Sequence, residues 1–316
     1  MEIIAGTTDI QLGQETAVAL GKFDGIHIGH RRLLEEILSR KDRLAACVFT
    51  FDPPPAVLFG CSDGRELTTR EEKRLLFGRM GVDILVEFPM NAVTAATPPE
   101  AFARDILAGQ LQARFLAAGT DLSFGARGEG NAALLQRMGP ELGFEVKTID
   151  KVRMDGEEVS STLVRAKVEE GDMESVEHLL GMPYMIAGEV VRGRQVGRTI
   201  GFPTVNVLPG ADKLLPPNGV YFSQVRCGEK LYHAISNVGY KPTVTDERVM
   251  GVESYLYDFT GNLYGERVEV YLQAFRRPER RFQGLEALRA QLQEDIAAGR
   301  ERCEKSFQNR PCQNNL

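Results

Sequence analysis

Apolar and polar positions follow two different rhythms along the chain. Up to about Gly181, runs of consecutive apolar or β-branched residues at Thr16–Leu20, Leu44–Phe51, Ile84–Phe88 and Phe144–Ile149 read as buried strands. Segments with helical apolar spacing lie between and after them: Arg31–Leu44, Thr69–Met80, Pro98–Gly109, Asn131–Leu142 and Ser161–Glu170. This alternation predicts an α/β domain with a parallel sheet and helical crossovers. After Gly181-Met-Pro-Tyr184 the rhythm shortens. From Ala187 to Phe275, strand-length runs are split by Gly and Pro turns at Arg192–Gly201, Pro209–Asn218, Cys227–Glu229 and Asp258–Asn262. That pattern predicts a small antiparallel β-barrel. A closing helix is expected over Leu285–Gly299, with Leu288, Leu292 and Ile296 on one face. The expected organisation is therefore a first domain over 1–182, a second over 183–303 and a polar tail over 304–316, with no internal repeat.

Composition changes this picture little. The chain has 316 residues, 43% hydrophobic and 26% charged, enough for two separately cored domains. No stretch reaches the roughly 18 uninterrupted apolar residues of a membrane span, and the N-terminus lacks a signal-peptide pattern, so a cytoplasmic protein without a membrane partner is expected. Five scattered cysteines argue against a disulfide framework. The formal net charge of −6 provides no general field for nucleic acid, so a phosphorylated ligand must be held by local basic groups. Tryptophan is absent, which leaves stacking on a ring-shaped ligand to Phe or Tyr. The sequence does not fix an oligomeric state.

The chemistry begins at Gly21-Lys-Phe-Asp-Gly-Ile-His-Ile-Gly-His30, which carries two of the four histidines. It falls between a predicted strand and a predicted helix, where free N–H groups and the helix dipole attract anions. Gly25 and Gly29 let a nucleotide approach the backbone, and His27 and His30 can add hydrogen bonds to phosphate oxygens. A structural cap or half of a zinc site would use the same spacing. Zinc is disfavoured because His178 and His233 are solitary and no CxxC pair completes a site.

Three further segments belong beside it. Phe49-Thr-Phe-Asp-Pro-Pro-Pro55 is a stiff loop after a strand, and Gly119–Asn131 is a glycine-rich loop with Asp121 and Arg127 as polar handles. Ser160-Ser161-Thr162-Leu-Val-Arg165 opens a helix; its hydroxyls serve as N-caps or, with Arg165, as a triphosphate cradle. In the second half, Gly188–Asn206 joins Gly193, Gly201, Arg192, Arg194 and Arg198 into a phosphate cradle that is not a Walker A motif. Thr204 and Asn206 stand at i and i+2 on one strand face, an oxygen-donor pair suited to Mg²⁺ if a nucleotide is present and otherwise facing solvent.

These motifs resemble the prokaryotic bifunctional riboflavin kinase/FAD synthetases. The GxFDGxHxGH run, the F-D-P-x-P loop and the S-S-T-x-x-R helix start resemble the N-terminal nucleotidylyltransferase module, of Rossmann-like HxGH fold. Two departures stand out: Leu122 replaces an aromatic residue, and Glu158 stands where some relatives have a basic one. The run Gly188–Asn206, then Pro217-Asn-Gly-Val-Tyr221, Ser236-Asn237-Val-Gly-Tyr-Lys-Pro-Thr243 and Val252-Glu253, resembles the riboflavin kinase module in the same order.

The resemblance implies that riboflavin and ATP give FMN and ADP, and that FMN and ATP give FAD and pyrophosphate, with Mg²⁺ as cofactor. It implies that His27 and His30 stabilise the reacting phosphates, that Gly21, Phe23, Asp24 and Gly25 shape the adenosine cleft, and that Ser161, Thr162 and Arg165 hold the pyrophosphate side with Asp121 nearby. In the kinase module it implies Glu253 as general base, Thr204 and Asn206 as metal-facing ligands, and Gly193, Arg198, Gly201 and Asn237 around the substrates. Two alternatives stay open: a kinase whose N-terminal module only binds nucleotide, and a flavin-binding carrier or regulator without catalysis.

Overall fold

The computed structural model describes residues 1–193, 197, 201–242 and 248–308. The chain divides into two compact units, Met1–Val164 and Arg165–Leu316.

The first unit is built on six parallel strands: β1 (Glu2–Ala5), β2 (Thr16–Leu20), β3 (Ala45–Asp52), β4 (Ile84–Pro89), β5 (Ala113–Gly119) and β6 (Glu145–Ile149), in the order β1-β4-β3-β2-β5-β6. All five pairings are parallel, as the alternation predicted. Every residue of β2 is buried, as expected of a central strand covered on both faces. Val18, Leu20, Phe49, Val86 and Leu116 form its core with side chains from the crossover helices.

Two strands carried no sequence signal. β1 is a short, largely exposed edge strand, and β5 is alanine-rich, a composition depleted in strands. Burial between β2 and β6 overrides propensity for β5. Two helices differ from expectation. The first, α1, spans Ile28–Leu38 rather than Arg31–Leu44, because His27 caps it and Ser39 ends it. The Pro98–Gly109 segment is a short turn at Pro99–Ala101 followed by a π-helix over Phe102–Gln110. Next come α2 (Arg70–Met80), with a Thr69/Glu72 capping box, and α3 (Ala132–Leu142), capped by Asn131.

Helix α4 (Ser161–Glu170) spans the division between the units and is followed by α5 (Met173–Leu180). The second unit is a closed antiparallel barrel of β7 (Tyr184–Val191), β8 (Val205–Leu208), β9 (Gly219–Cys227), β10 (Lys230–Pro242), β11 (Arg248–Leu256) and β12 (Arg267–Pro278). Strand order around it is β7-β8-β11-β10-β9-β12, closed by the β12–β7 pairing. Closure removes exposed sheet edges. The interior is apolar except for a ladder of buried hydroxyls, Ser223 to Ser236 to Ser254, with both O···O distances 2.7 Å. Each buried hydroxyl thus finds its partner on a neighbouring strand.

Helix α6 (Leu285–Gln308) packs outside the barrel, with Ile296 and Cys303 against Val220, Ile235 and Tyr257. It continues to Gln308, into the segment read as a polar tail. Residues 309–316 lie outside the described residues.

Candidate active sites

The turn from β2 to α1 lies at the carboxyl end of the parallel sheet, the ligand-binding edge of this architecture. Its backbone is unusual: Phe23 and Ile26 take φ of 51° and 43°, and Gly25 takes 87°. Bulky residues in the left-handed region mark a conformation held by its surroundings. Those surroundings are visible. The Phe23 ring is fully buried between His30, 5.1 Å away, and Phe77, 5.4 Å away. Asp24 accepts from the Leu67 and Thr68 N–H groups at 2.7 and 3.3 Å, while the Ser161 hydroxyl donates to the Asp24 carbonyl oxygen at 2.8 Å.

Within this frame the two imidazoles stack, 3.8 Å between centroids. His27 Nδ1 accepts from the His30 backbone N–H at 3.3 Å. A neutral His27 therefore carries its proton on Nε2 and can donate it to a ligand. Burial pushes the His27 imidazole down to about 4, although the Asp24 and Asp121 carboxylates pull the other way. Burial also holds His30 well below the ordinary histidine range, reinforced by His27 and by the Lys73 ammonium. His30 Nδ1 is sealed from solvent and has no hydrogen-bond partner among the described residues. A Cβ on Gly29 would sit 3.1 Å from the His27 ring, so glycine there lets the helix start close over the imidazole. The pair is a set of neutral, preorganised hydrogen-bond donors at a helix N-terminus, suited to phosphate oxygens.

Gly21 packs beside the Phe23 ring. Asp121 is exposed and paired with Lys151 at 3.5 Å. Ser160 provides the α4 cap, accepting from the Leu163 N–H at 3.2 Å, which leaves Ser161 to tether the β2–α1 turn and Thr162 exposed. Arg165 is half-buried on the second turn of α4. The two departures acquire structural partners: Leu122 packs on the sheet core, and Glu158 pairs with Lys151 at 3.1 Å and Arg153 at 3.7 Å. The Glu158 charge is therefore balanced locally.

The barrel site follows from strand register. Asn206 on β8 lies opposite Glu253 on β11, Glu253 opposite Asn237 on β10, Asn237 opposite Val220 on β9, and Val220 opposite Arg277 on β12. One cross-strand row therefore carries four polar side chains. Thr204, just before β8, donates to Glu253 Oε1 at 2.6 Å. Gly193 lies so close to Asn206 that a Cβ there would collide with its amide. Gly201 has a φ of 88°. Arg194 and Arg198 lie outside the described residues.

Beneath α6 the row opens into a cavity of about 590 Å³, lined by Thr204, Asn237, Glu253, Phe282, Leu288 and Leu292 among others. That volume and its apolar wall with convergent polar groups suit a small organic ligand.

Several residues of this wall escaped the sequence reading. Asp295 on α6 is fully buried and receives both Arg277 Nη2 at 2.7 Å and Gln291 Nε2 at 3.0 Å, with Arg276 Nε at 3.6 Å. Arg280 bonds Gln291, and Glu279 bonds Asn237. The signals were present as a run of four arginines within 276–281 and as Gln291 and Asp295, polar residues four apart beside the apolar stripe of the helix.

Fold and sites together define a transferase with two phosphate-handling modules. Residues 9–163 match the family model for FAD synthetase, and residues 180–303 that for riboflavin kinase. The bifunctional riboflavin kinase/FMN adenylyltransferase of Escherichia coli K12 is 38% identical over 307 residues, covering 95% of this chain and 97% of that protein. The protein of the same name from Listeria monocytogenes is 35% identical over 293 residues, covering 92% and 93%. A crystal structure described as a macrolide-efflux protein from Streptococcus pneumoniae superposes with a TM-score of 0.81 at 30% identity, covering 94% of this chain and 98% of that one. The chain belongs to the bifunctional riboflavin kinase/FMN adenylyltransferase family, whose two ATP-using activities make FMN and FAD. Among the described residues no helix is long and apolar enough to cross a membrane.

Proposed function

We propose that the two sites act in succession on one flavin, the barrel phosphorylating riboflavin and the sheet domain adenylylating the FMN produced. The observation that carries this reading is Glu253, held by Thr204 at 2.6 Å in a ligand-sized cavity, because a carrier needs no positioned carboxylate.

In the barrel site the riboflavin 5′-hydroxyl is a poor nucleophile until its proton is accepted. Glu253 is the base, held by the Thr204 hydroxyl and standing in register with Asn206 and Asn237 on the neighbouring strands. The hydroxyl oxygen forms a bond to the γ-phosphorus of ATP as the bond to the β-bridging oxygen breaks, and ADP leaves. The donor set fits Mg²⁺: the Thr204 hydroxyl and the Asn206 amide oxygen are hard ligands beside a carboxylate, and among the described residues no His/Cys/Asp/Glu cluster offers an alternative cage. When bound, Mg²⁺ supplies charge neutralisation at the ATP phosphates.

At the sheet site the nucleophile is the FMN phosphate, already an anion at neutral pH. Its oxygen bonds to the α-phosphorus of ATP, and pyrophosphate departs. No base is required, so catalysis rests on alignment and charge stabilisation. His27 and His30 donate to the reacting phosphates, Ser161, Thr162 and Arg165 serve the leaving pyrophosphate, and Gly21, Phe23, Asp24 and Gly25 shape the nucleotide cleft with Asp121 at its rim. The adenylyltransferase half is assigned to 1–182 and the kinase half to 183–303, in the cytoplasm, where riboflavin and ATP are available.

The test is a time course with riboflavin, ATP and Mg²⁺, the flavins being separated chromatographically. FMN that rises and then converts to FAD is expected. FMN that accumulates unchanged would leave only the kinase reading, and absence of both products would refute the proposal.

A further inference from the structure

We infer that Gln291 on α6 is a positioning residue of the barrel site: wedged between Asp295 and Arg280, it holds the Phe282 ring as the wall on which the flat ring system of the flavin stacks. The inference rests on the reading that this cavity takes riboflavin.

Phe282 stands in the loop between the end of β12 at Pro278 and the start of α6 at Leu285. It is half-buried and lines the cavity, so its ring can be reached from there. A ring on such a loop needs something to hold it. The Arg280 guanidinium lies over it, 4.9 Å from the centroid, and that of Arg277 lies at 6.0 Å.

Arg280 is held in turn by Gln291. Gln291 Nε2 donates to Asp295 Oδ1 at 3.0 Å, while Gln291 Oε1 accepts from Arg280 Nη2. A carboxylate only accepts and a guanidinium only donates, so an amide between them has a single orientation. Gln291 and Asp295 are both buried, one helical turn apart, and Asp295 also receives Arg277 Nη2 at 2.7 Å. Contacts therefore run without a break from the packed helix, through Gln291 and Arg280, to the ring on the loop.

Two observations give that ring to the flavin. First, stacking in a chain without tryptophan falls to Phe or Tyr. The other aromatic residue lining the cavity, Tyr255, is packed near edge-on against Phe202 at 5.6 Å, whereas the ring of Phe282 meets guanidiniums. Leu288 and Leu292 of α6 line the same cavity and extend the apolar wall.

Second, the cross-strand row separates the two substrates. Asn206 stands on one side of Glu253, and Asn237, Val220 and Arg277 follow on the other. The oxygen donors Thr204 and Asn206 suit the metal and phosphates of ATP. The far end of the row, with Arg277 and Phe282, is left to the flavin. Gln291 acts there through Arg280 and Phe282, without touching the reacting atoms.

The experiment uses the full-length protein. Binding of riboflavin, and of lumiflavin, which keeps the ring system and lacks the ribityl chain, is measured by calorimetry without ATP, alongside kinase kinetics. Gln291→Leu removes both ends of the amide, and Arg280→Lys keeps the charge of an exposed side chain but not its planar fork. In each the Kd for both flavins and the KM for riboflavin should rise about fivefold, the share an aromatic contact carries beyond its buried area. Kinase kcat and the KM for ATP should stay near wild type.

Phe282→Leu should show the same loss, and adding Gln291→Leu to it should cost nothing further, because both changes remove one contact. Unchanged flavin affinity in both Gln291→Leu and Arg280→Lys, losses that multiply in the double variant, a loss for riboflavin without one for lumiflavin, or a KM for ATP that rises equally would overturn the positioning role. A wild-type protein that binds no riboflavin would instead refute the functional reading itself.

Discussion

The two sites place their irregularity in opposite parts of the structure. At the sheet site the backbone is strained, with Phe23 and Ile26 in the left-handed region, while the imidazoles are held neutral by burial. At the barrel site Asn206, Glu253 and Asn237 stand in unbroken antiparallel register, and their side chains carry the charge and polarity. On the proposed assignment the difference follows the nucleophiles. A phosphate is reactive without a base and needs donors gathered around it, which a distorted turn and a helix N-terminus supply. An alcohol needs a carboxylate at a fixed point, which a rigid strand supplies better than a loop.

The contrast breaks most visibly under Glu253→Gln. FMN formation should fall about a thousandfold, within the range for loss of a general base, while FAD synthesis from supplied FMN persists. Equal loss of both activities in a folded protein would show that the domains are misassigned. The reciprocal change, His30→Ala, should lower FAD synthesis by about a hundredfold or more through loss of a preorganised donor and leave FMN formation intact, read from the same chromatographic assay.

A third change separates architecture from chemistry. Asp295→Asn leaves the Arg277 guanidinium without its buried counter-charge, and the second unit should lose about 3 kcal/mol, seen as a lower Tm for the barrel with the sheet unit unaffected.

The smallest effect concerns pH. His27 is held near 4 in the fold against an ordinary value of 6.5, so between those values the unfolded chain binds more protons. The His27 contribution is fully present above about pH 6.5 and is lost as pH falls toward 4, up to about 3 kcal/mol. Thermal unfolding at pH 7 and pH 4.5 should show this loss in wild type and less of it in His27→Asn, which keeps a capping oxygen. A variant with the same pH dependence as wild type would assign the effect to other groups.

Much of this was legible in the sequence because it is local. The β2–α1 turn announces itself through glycines and histidines within ten residues, and strands such as Thr16–Leu20 through continuous apolar runs. Thr204 and Asn206 are two apart, so strand periodicity alone places them together. Glu253 became legible only through family resemblance, and its contact with Thr204 spans 49 residues. Arg277, Glu279 and Asp295 were missed because their roles exist only once β12 closes the barrel and α6 folds back over it. The alanine-rich β5 was missed for a related reason: its strand state comes from its neighbours and not from its own side chains.

The Ser161 hydroxyl on the Asp24 carbonyl oxygen has a consequence in time. The two residues are 137 positions apart. At about 5–20 residues per second, roughly seven to thirty seconds of translation separate them. The histidine turn therefore emerges from the ribosome well before the residue that ties it down. A nascent or prematurely ended chain that stops short of Ser161 possesses both imidazoles and the sheet beneath them, yet its histidine turn lacks this last tether. The order of synthesis thus makes this tether one of the last contacts of the sheet domain to form.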